Sequence, residues 1–145
     1  TEFELIIQRF NADGSSDTSF GTGGVVFPTV ASGVASFDPT EPFPKSIEVA
    51  PDGKFYIGGV LANGAETPFL ARFNPDGSLD SSFGVGGIAD LTSVGLVSIE
   101  GMDLTDDGKL LVALSSNNSS LFRAMRINPD GQLDASFGTA VMTEE

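Results

Sequence analysis

A chain of 145 residues that is 40% hydrophobic and 19% charged is long enough to bury one core and too apolar to stay disordered. Its formal net charge of −13 leaves no room for the clustered Lys and Arg that phosphate binding needs, so no nucleic-acid partner is expected. With no cysteine and no histidine there is no disulfide framework, no thiolate metal site and little scope for a nucleophile–base pair, and no apolar run reaches the roughly 20 residues of a spanning helix, so no membrane insertion is expected.

Eighteen glycines and eight prolines, with few helix-favouring runs, predict many turns, short strands and almost no helix. The chain opens on Thr1 without a charged-then-apolar signal segment and is at once in strand-like sequence, "FELIIQRF" at 3 to 10, as expected of a processed mature chain or a piece of a longer one. A glycine-rich turn follows, "NADGSSDTSFGTGG" at 11 to 24. The Pro-rich stretch "PTVASGVASFDPTEPFP", residues 28 to 44, reads as a surface loop. Next, "IEVAPDGKFYIGG" from Ile47 sets Ile47 and Val49 before a turn and Phe55 and Ile57 after it, the alternation of a hairpin with one buried face. The strand "FLARF" at 69 to 73 leads into "NPDGSLDSSFGVGG", and a further strand begins near Ile88. "MDLTDDGKLLVAL" from Met102 repeats the hairpin, with Lys109 where the other copy has Lys54. The polar "NNSS" at 117 to 120 reads as a hairpin tip, and its overlapping sequons at Asn117 and Asn118 matter only in a cell that glycosylates secreted asparagines. Finally "RINPDGQLDASFGTA" from Arg126 gives the first turn again.

Two turns therefore alternate. Gly14, Gly77 and Gly131 mark three copies of one, spaced 63 and 54 residues; Gly53 and Gly108 mark two copies of the other, 55 apart. In "NPDG" the proline presets φ for the first corner of a type I turn, the aspartate tolerates the second, and the glycine takes the left-handed position of a bulged hairpin. A unit of two hairpins, four strands in about 55 residues, is the size of a propeller blade. The expected fold is all-β: about two and a half four-stranded antiparallel propeller-type blades, open rather than a closed ring. They divide as a half blade at 1–27, a loop at 28–44, and blades at 45–91 and 99–145.

The stretch "ARFNPDGSLDSSFGVGG" at 71 to 87, followed about 15 residues later by a strand and "DGK", resembles the delta-60 repeats of bacteria, and the string "NPDGxLDxSFG" at 74 to 84 and 128 to 138 is the specific part of that resemblance. The resemblance implies propeller-type blades and a setting outside the cell or on its surface, and it carries no catalytic residues. The first copy departs from the string, with Ala12 for the proline and Ser16 for the leucine.

Three sets of residues invite a chemical reading. Arg9, Arg72 and Arg126 each precede an aspartate by eight residues, namely Asp17, Asp80 and Asp134. They read either as a ring of arginines for an anion or as a brace within each unit, and repetition in every copy favours the brace. Phe20, Phe83 and Phe137 of "SFG" read as a stacking platform for sugars or as plugs between adjacent sheets, and the plug is expected. "DLTDDGKLLVAL" from Asp103 begins like a calcium loop but has Leu114 where a bidentate Glu is needed, which leaves only a looser calcium site from Asp76, Asp80, Asp106 and Asp107. Glu48 and Asp103, at one repeat position, read as a solvated strand face, as a paired acid and base or as the lining of an acidic mouth, and Tyr56 is the single tyrosine.

Two and a half blades cannot close a ring, and an open stack leaves unpaired edges and apolar faces. The chain is therefore expected to be a non-enzymatic structural or interaction protein outside the bacterial cell. Its expected partners are copies of itself, as an oligomer or filament, or adjoining blades of a longer chain. Two alternatives are a carbohydrate- or calcium-binding propeller segment of a larger surface protein, and a hydrolase or lyase whose site lies elsewhere in a longer parent.

Overall fold

A computed structural model describes residues 5–28, 42–61, 66–95, 98–116, 121–138 and 140–143. Strands β1 (Ile7–Gln8) and β2 (Val25–Val26) pair antiparallel. Strands β3 (Pro42–Val49), β4 (Phe55–Leu61) and β5 (Thr67–Phe73) form a second sheet in that order. Strands β6 (Ser98–Leu104), β7 (Leu110–Ser115), β8 (Leu121–Ile127) and β9 (Ala140–Thr143) form a third, again in chain order. A fourth segment joins the middle sheet through an isolated bridge between Ala71 and Ile88, where the Arg72 N–H donates to Gly87 O and the Ala89 N–H to Leu70 O.

The three sheets are successive copies of one unit, since Arg9, Arg72 and Arg126 fall at or beside the ends of β1, β5 and β8. Blade three is thus four-stranded, blade two has three strands and a bridged fourth segment, and blade one contributes its outer hairpin. The result is an open, propeller-like stack of antiparallel sheets. Thr92–Val94 is a single 3-10 turn, and no helix among the described residues is long and apolar enough to cross a membrane.

Both kinds of turn are bulged hairpins. The Gly77 N–H donates to Asn74 O and the Asn74 N–H to Ser78 O, with Gly77 at φ 89°; Gly53 closes the other kind in the same way on Ala50, at φ 83°. Asp76 Oδ1 accepts from both the backbone N–H and the hydroxyl of Ser78, holding the corner.

The strand β3 starts three residues inside the expected 28–44 loop, whose residues 29–41 lie outside the described ones. Prolines at 42 and 44 are compatible with a strand here because β3 is a sheet edge, where a missing N–H need cost no ladder bond. Its register then breaks between Pro44 and Ser46, putting a bulge at Lys45; β6 breaks at the equivalent Glu100. The two bulged residues meet across the blades, Lys45 Nζ donating to Glu100 Oε1 at 2.7 Å.

The core lies between sheets. Leu5, Ile7 and Phe20 of blade one pack with Phe55, Ile57, Leu61, Phe69, Ala71 and Phe73 of blade two. The opposite faces of the same strands, Tyr56 and Leu70, pack with Phe83, Ile99, Leu110, Val112, Leu114, Met125 and Ile127. Blade two is sandwiched, so every residue of β4 is buried, while β7 alternates and turns Ala113 outward. Burying each large side chain of this kind contributes roughly 1.5–3 kcal/mol.

Candidate functional site

The repeated arginine is the best-built polar feature of the fold. Arg72 leaves the end of β5 inside the sheet stack, where only 8% of its side chain is exposed. Its Nε donates to Asp80 Oδ2 at 2.8 Å and its Nη2 to Ser82 Oγ at 3.0 Å. Its third arm crosses to the next blade, Nη1 donating to Pro129 O at 2.5 Å. The guanidinium lies 4.6 Å above the centre of the Phe83 ring, which adds a cation–π contact and covers the apolar side of the plane. All five N–H donors of an arginine lie in one plane, so a single side chain can brace its own hairpin and hold its neighbour's turn.

The same parts recur. Arg9 Nε donates to Asp17 Oδ2 at 2.9 Å, Nη2 to Ser19 Oγ, and Nη1 to Pro75 O of the next blade at 2.8 Å, with the guanidinium 4.7 Å over Phe20. Arg126 Nε donates to Asp134 Oδ2 at 2.8 Å and lies 4.8 Å over Phe137. A backbone bond adds to the second joint, the Gly84 N–H donating to Asp130 O at 2.7 Å. The turn packs so closely that a Cβ on Gly131 would stand 2.4 Å from Gly84 N.

A lysine from the other turn joins each complete blade. Lys54 Nζ donates to Asp80 Oδ2 at 2.7 Å, and Lys109 Nζ to Asp134 Oδ2 at 2.8 Å. Each aspartate therefore faces two cations and a serine. Burial pushes the Asp80 carboxyl up, but the hydrogen bonds from Lys54 and Ser82 and the charge of Arg72 outweigh it and hold it far below the ordinary carboxylate range. Asp134 is lowered likewise, first by Lys109, then by Ser136. Glu100 is lowered first by the hydrogen bond from Lys45.

The arginines are thus spread along the stack, Arg9 and Arg72 each at one joint and Arg126 at the open end, each paired with its own aspartate rather than gathered in an anion-binding ring. Phe20 and Phe83 sit between sheets at 1% and 0% exposure. Phe137 departs from the expected plug: it is 36% exposed, because no further blade among the described residues covers it. Tyr56 is buried edge-on against Phe83, its ring centre 5.6 Å away.

The aspartates named for calcium are committed elsewhere or dispersed. Asp80 is held in its brace, Asp76 caps its own turn through Ser78, Asp107 accepts from Thr105 Oγ1, and Asp106 is exposed. Among the described residues no three acidic side chains stand close enough together to hold a metal ion. Glu48 and Asp103 occupy matching places on the adjoining strands β3 and β6, opposite Tyr56 and Leu111 in their ladders. Asn117 and Asn118 lie outside the described residues.

Sequence reasoning missed the lysine partners and the arginine's grip on the next blade. The co-occurrence of Lys54 and Lys109 with full blades was the available signal for the first. Nothing in the sequence marks a backbone carbonyl as an acceptor.

Comparison with curated proteins returns no match, and comparison with solved structures returns none. A family model described as a domain of unknown function (DUF5122) beta-propeller matches residues 2–20, 50–83 and 105–137. Each matched segment ends at or within one residue of a copy of Phe20, Phe83 or Phe137, so the family's repeat takes in the arginine, its turn and its aspartate. This chain belongs to the DUF5122 β-propeller family.

Proposed function

We propose that the chain is a non-enzymatic structural and interaction module, working outside the bacterial cell or at its surface, that assembles with copies of itself through the ends of its blade stack. One observation carries this: the interface that is buried between blades is repeated, exposed, at both ends. Ile6 and Phe10 of blade one, 58% and 56% exposed, hold the places that Phe69 and Phe73 fill in the buried face of blade two. At the other end Ala113, Phe122 and Phe137 are exposed on blade three. Apolar faces of this kind mark association surfaces. The setting outside the cell rests on the resemblance to delta-60 repeats, and the absence of an enzymatic role on the consumption of the repeated polar residues by structural bonds.

A second reading is that adjoining blades of a longer chain cover these ends. It is favoured by β1, whose only partner among the described strands is β2, which leaves one edge open where blade two has its inner strands β3 and β4. Light scattering on the purified chain, with electron microscopy of the same sample, tests the first reading. Masses that are multiples of 15.0 kDa, with elongated or ring-shaped particles, are expected. A monomer at every concentration would refute self-assembly and leave the second reading.

A further inference from the structure

The joints within the chain pair a socket on one blade with a turn on the next, and each end of the stack carries one half of that pair. We propose that the Arg126–Phe137 socket of one copy receives the Asn11–Gly14 turn of a second copy, as Arg72 and Phe83 receive Asn128–Gly131. This rests on the assembly reading above and names its contact.

The socket is already built. Asp134 holds Arg126 Nε at 2.8 Å, Lys109 Nζ reaches the same carboxylate oxygen, and Ser136 donates its N–H and its hydroxyl to Asp134 Oδ1. The guanidinium is stacked over Phe137 as Arg72 is over Phe83. Among the described residues its one hydrogen bond is to Asp134, whereas Arg72 and Arg9 each also hold a turn carbonyl of the following blade. A rigid donor pre-aimed in this way loses little freedom on binding.

The turn is also built. The Gly14 N–H donates to Asn11 O and the Asn11 N–H to Ser15 O, the bonds that close the turns at Gly77 and Gly131. Gly14 has φ 85°, against 89° and 84° for those two. A Cβ on Gly77 would stand 2.4 Å from Val26 Cγ2 and one on Gly131 2.4 Å from Gly84 N, but nothing lies within 4 Å of one on Gly14. The acceptor used in both internal joints is the carbonyl of the second turn residue, Pro75 or Pro129. Ala12 supplies the same carbonyl, so the loss of proline there does not remove it.

The surfaces beyond the contact match too. Leu111, Ala113, Ala124 and Phe137 line a shallow, mostly apolar depression on blade three. These are the repeat positions of Tyr56, Gly58, Leu70 and Phe83, of which the residues of blade two face blade three in a buried interface. Socket and turn lie on opposite ends, so the contact is heterologous and each copy carries one of each.

The chain has no cysteine, which permits a direct test. One preparation carries Ala12→Cys and another Ser136→Cys, because Pro129 and Ser82 are bridged by the single guanidinium of Arg72. Mixed under mild oxidation, the two should form a covalent heterodimer. Its yield, and the association constant of the cysteine-free chain by sedimentation, should fall on the order of tenfold with Arg126→Ala, as for loss of a charged hydrogen bond. Ala12→Trp, on an exposed turn position away from the socket's own fold, should block association while leaving the melting curve unchanged when both chains are measured below the concentration of association. Multimers that form without the heterodimer and are indifferent to Arg126→Ala and Ala12→Trp would overturn this contact and leave self-assembly standing. A chain that never associates would overturn both.

Discussion

Three phenylalanines stand at one position of the repeat, and the stack seals two of them. Phe83→Ala should cost about 3–5 kcal/mol in urea unfolding, the range for truncating a fully buried aromatic. Phe137→Ala should cost about 1 kcal/mol, because the ring is already partly in water. Equal costs would contradict the assignment of one ring to a joint and the other to an open face. The aspartates give a second prediction at this scale. Their carboxyls are held below the ordinary value of 3.8, so the stability they contribute is fully present above about pH 4 and is lost as pH falls through their lowered folded values. Melting temperature should be flat near neutrality and fall steeply below pH 4, less steeply in Asp80→Asn; a fall beginning near pH 6 would contradict this. The Arg–Asp pairing was legible because both partners belong to one hairpin, eight residues apart. Lys54, 26 residues from Asp80, and Pro129 O, 57 from Arg72, were not, since those contacts exist only once hairpins and blades have packed.

The strand β4 reads "FYIGGVL", and alternation about its turn predicts one buried face. Both faces are buried, because blade one lies against Phe55 and Ile57 and blade three against Tyr56. Periodicity marks a strand, but whether its second face meets water or another sheet depends on what stacks there. The strands and turns were therefore legible, and the sandwiching was not. Nor was the start of β3 within a Pro-rich stretch, where edge position overrides composition. The turns offer a paired experiment. Gly131→Ala strains a left-handed residue and also drives a methyl into Gly84 backbone; Gly14→Ala, at nearly the same φ, meets open space. The first should destabilise by several kcal/mol and the second by about 1 kcal/mol, measured by thermal unfolding below the concentration of association. Similar losses would mean that the turn of blade three does not dock on blade two.

At the scale of the molecule, the count of turns foretold the open stack: three of one kind and two of the other give two full blades and an outer hairpin. What the count did not reveal is that the turns at Gly77 and Gly131 are joints, each held by the arginine of the preceding blade. A net charge of −13 on every copy opposes association at long range, while the contact itself is short-range, a guanidinium hydrogen bond to a turn carbonyl set among apolar surfaces. Raising salt from about 0.05 to 0.5 M should therefore strengthen self-association in sedimentation, as the Debye length falls from about 14 Å to about 4 Å. Dissociation by salt would instead indicate an interface held by opposite charges. The central claim is that the repeated arginine turn joins blade to blade, and the Gly84 amide reports on it directly, since its N–H donates to Asp130 O across the joint. In hydrogen exchange the account predicts a protected Gly84 amide in the unaltered chain and rapid exchange in Arg72→Ala, with the amides of β4 still protected. Protection of Gly84 that survives the loss of Arg72 would contradict it.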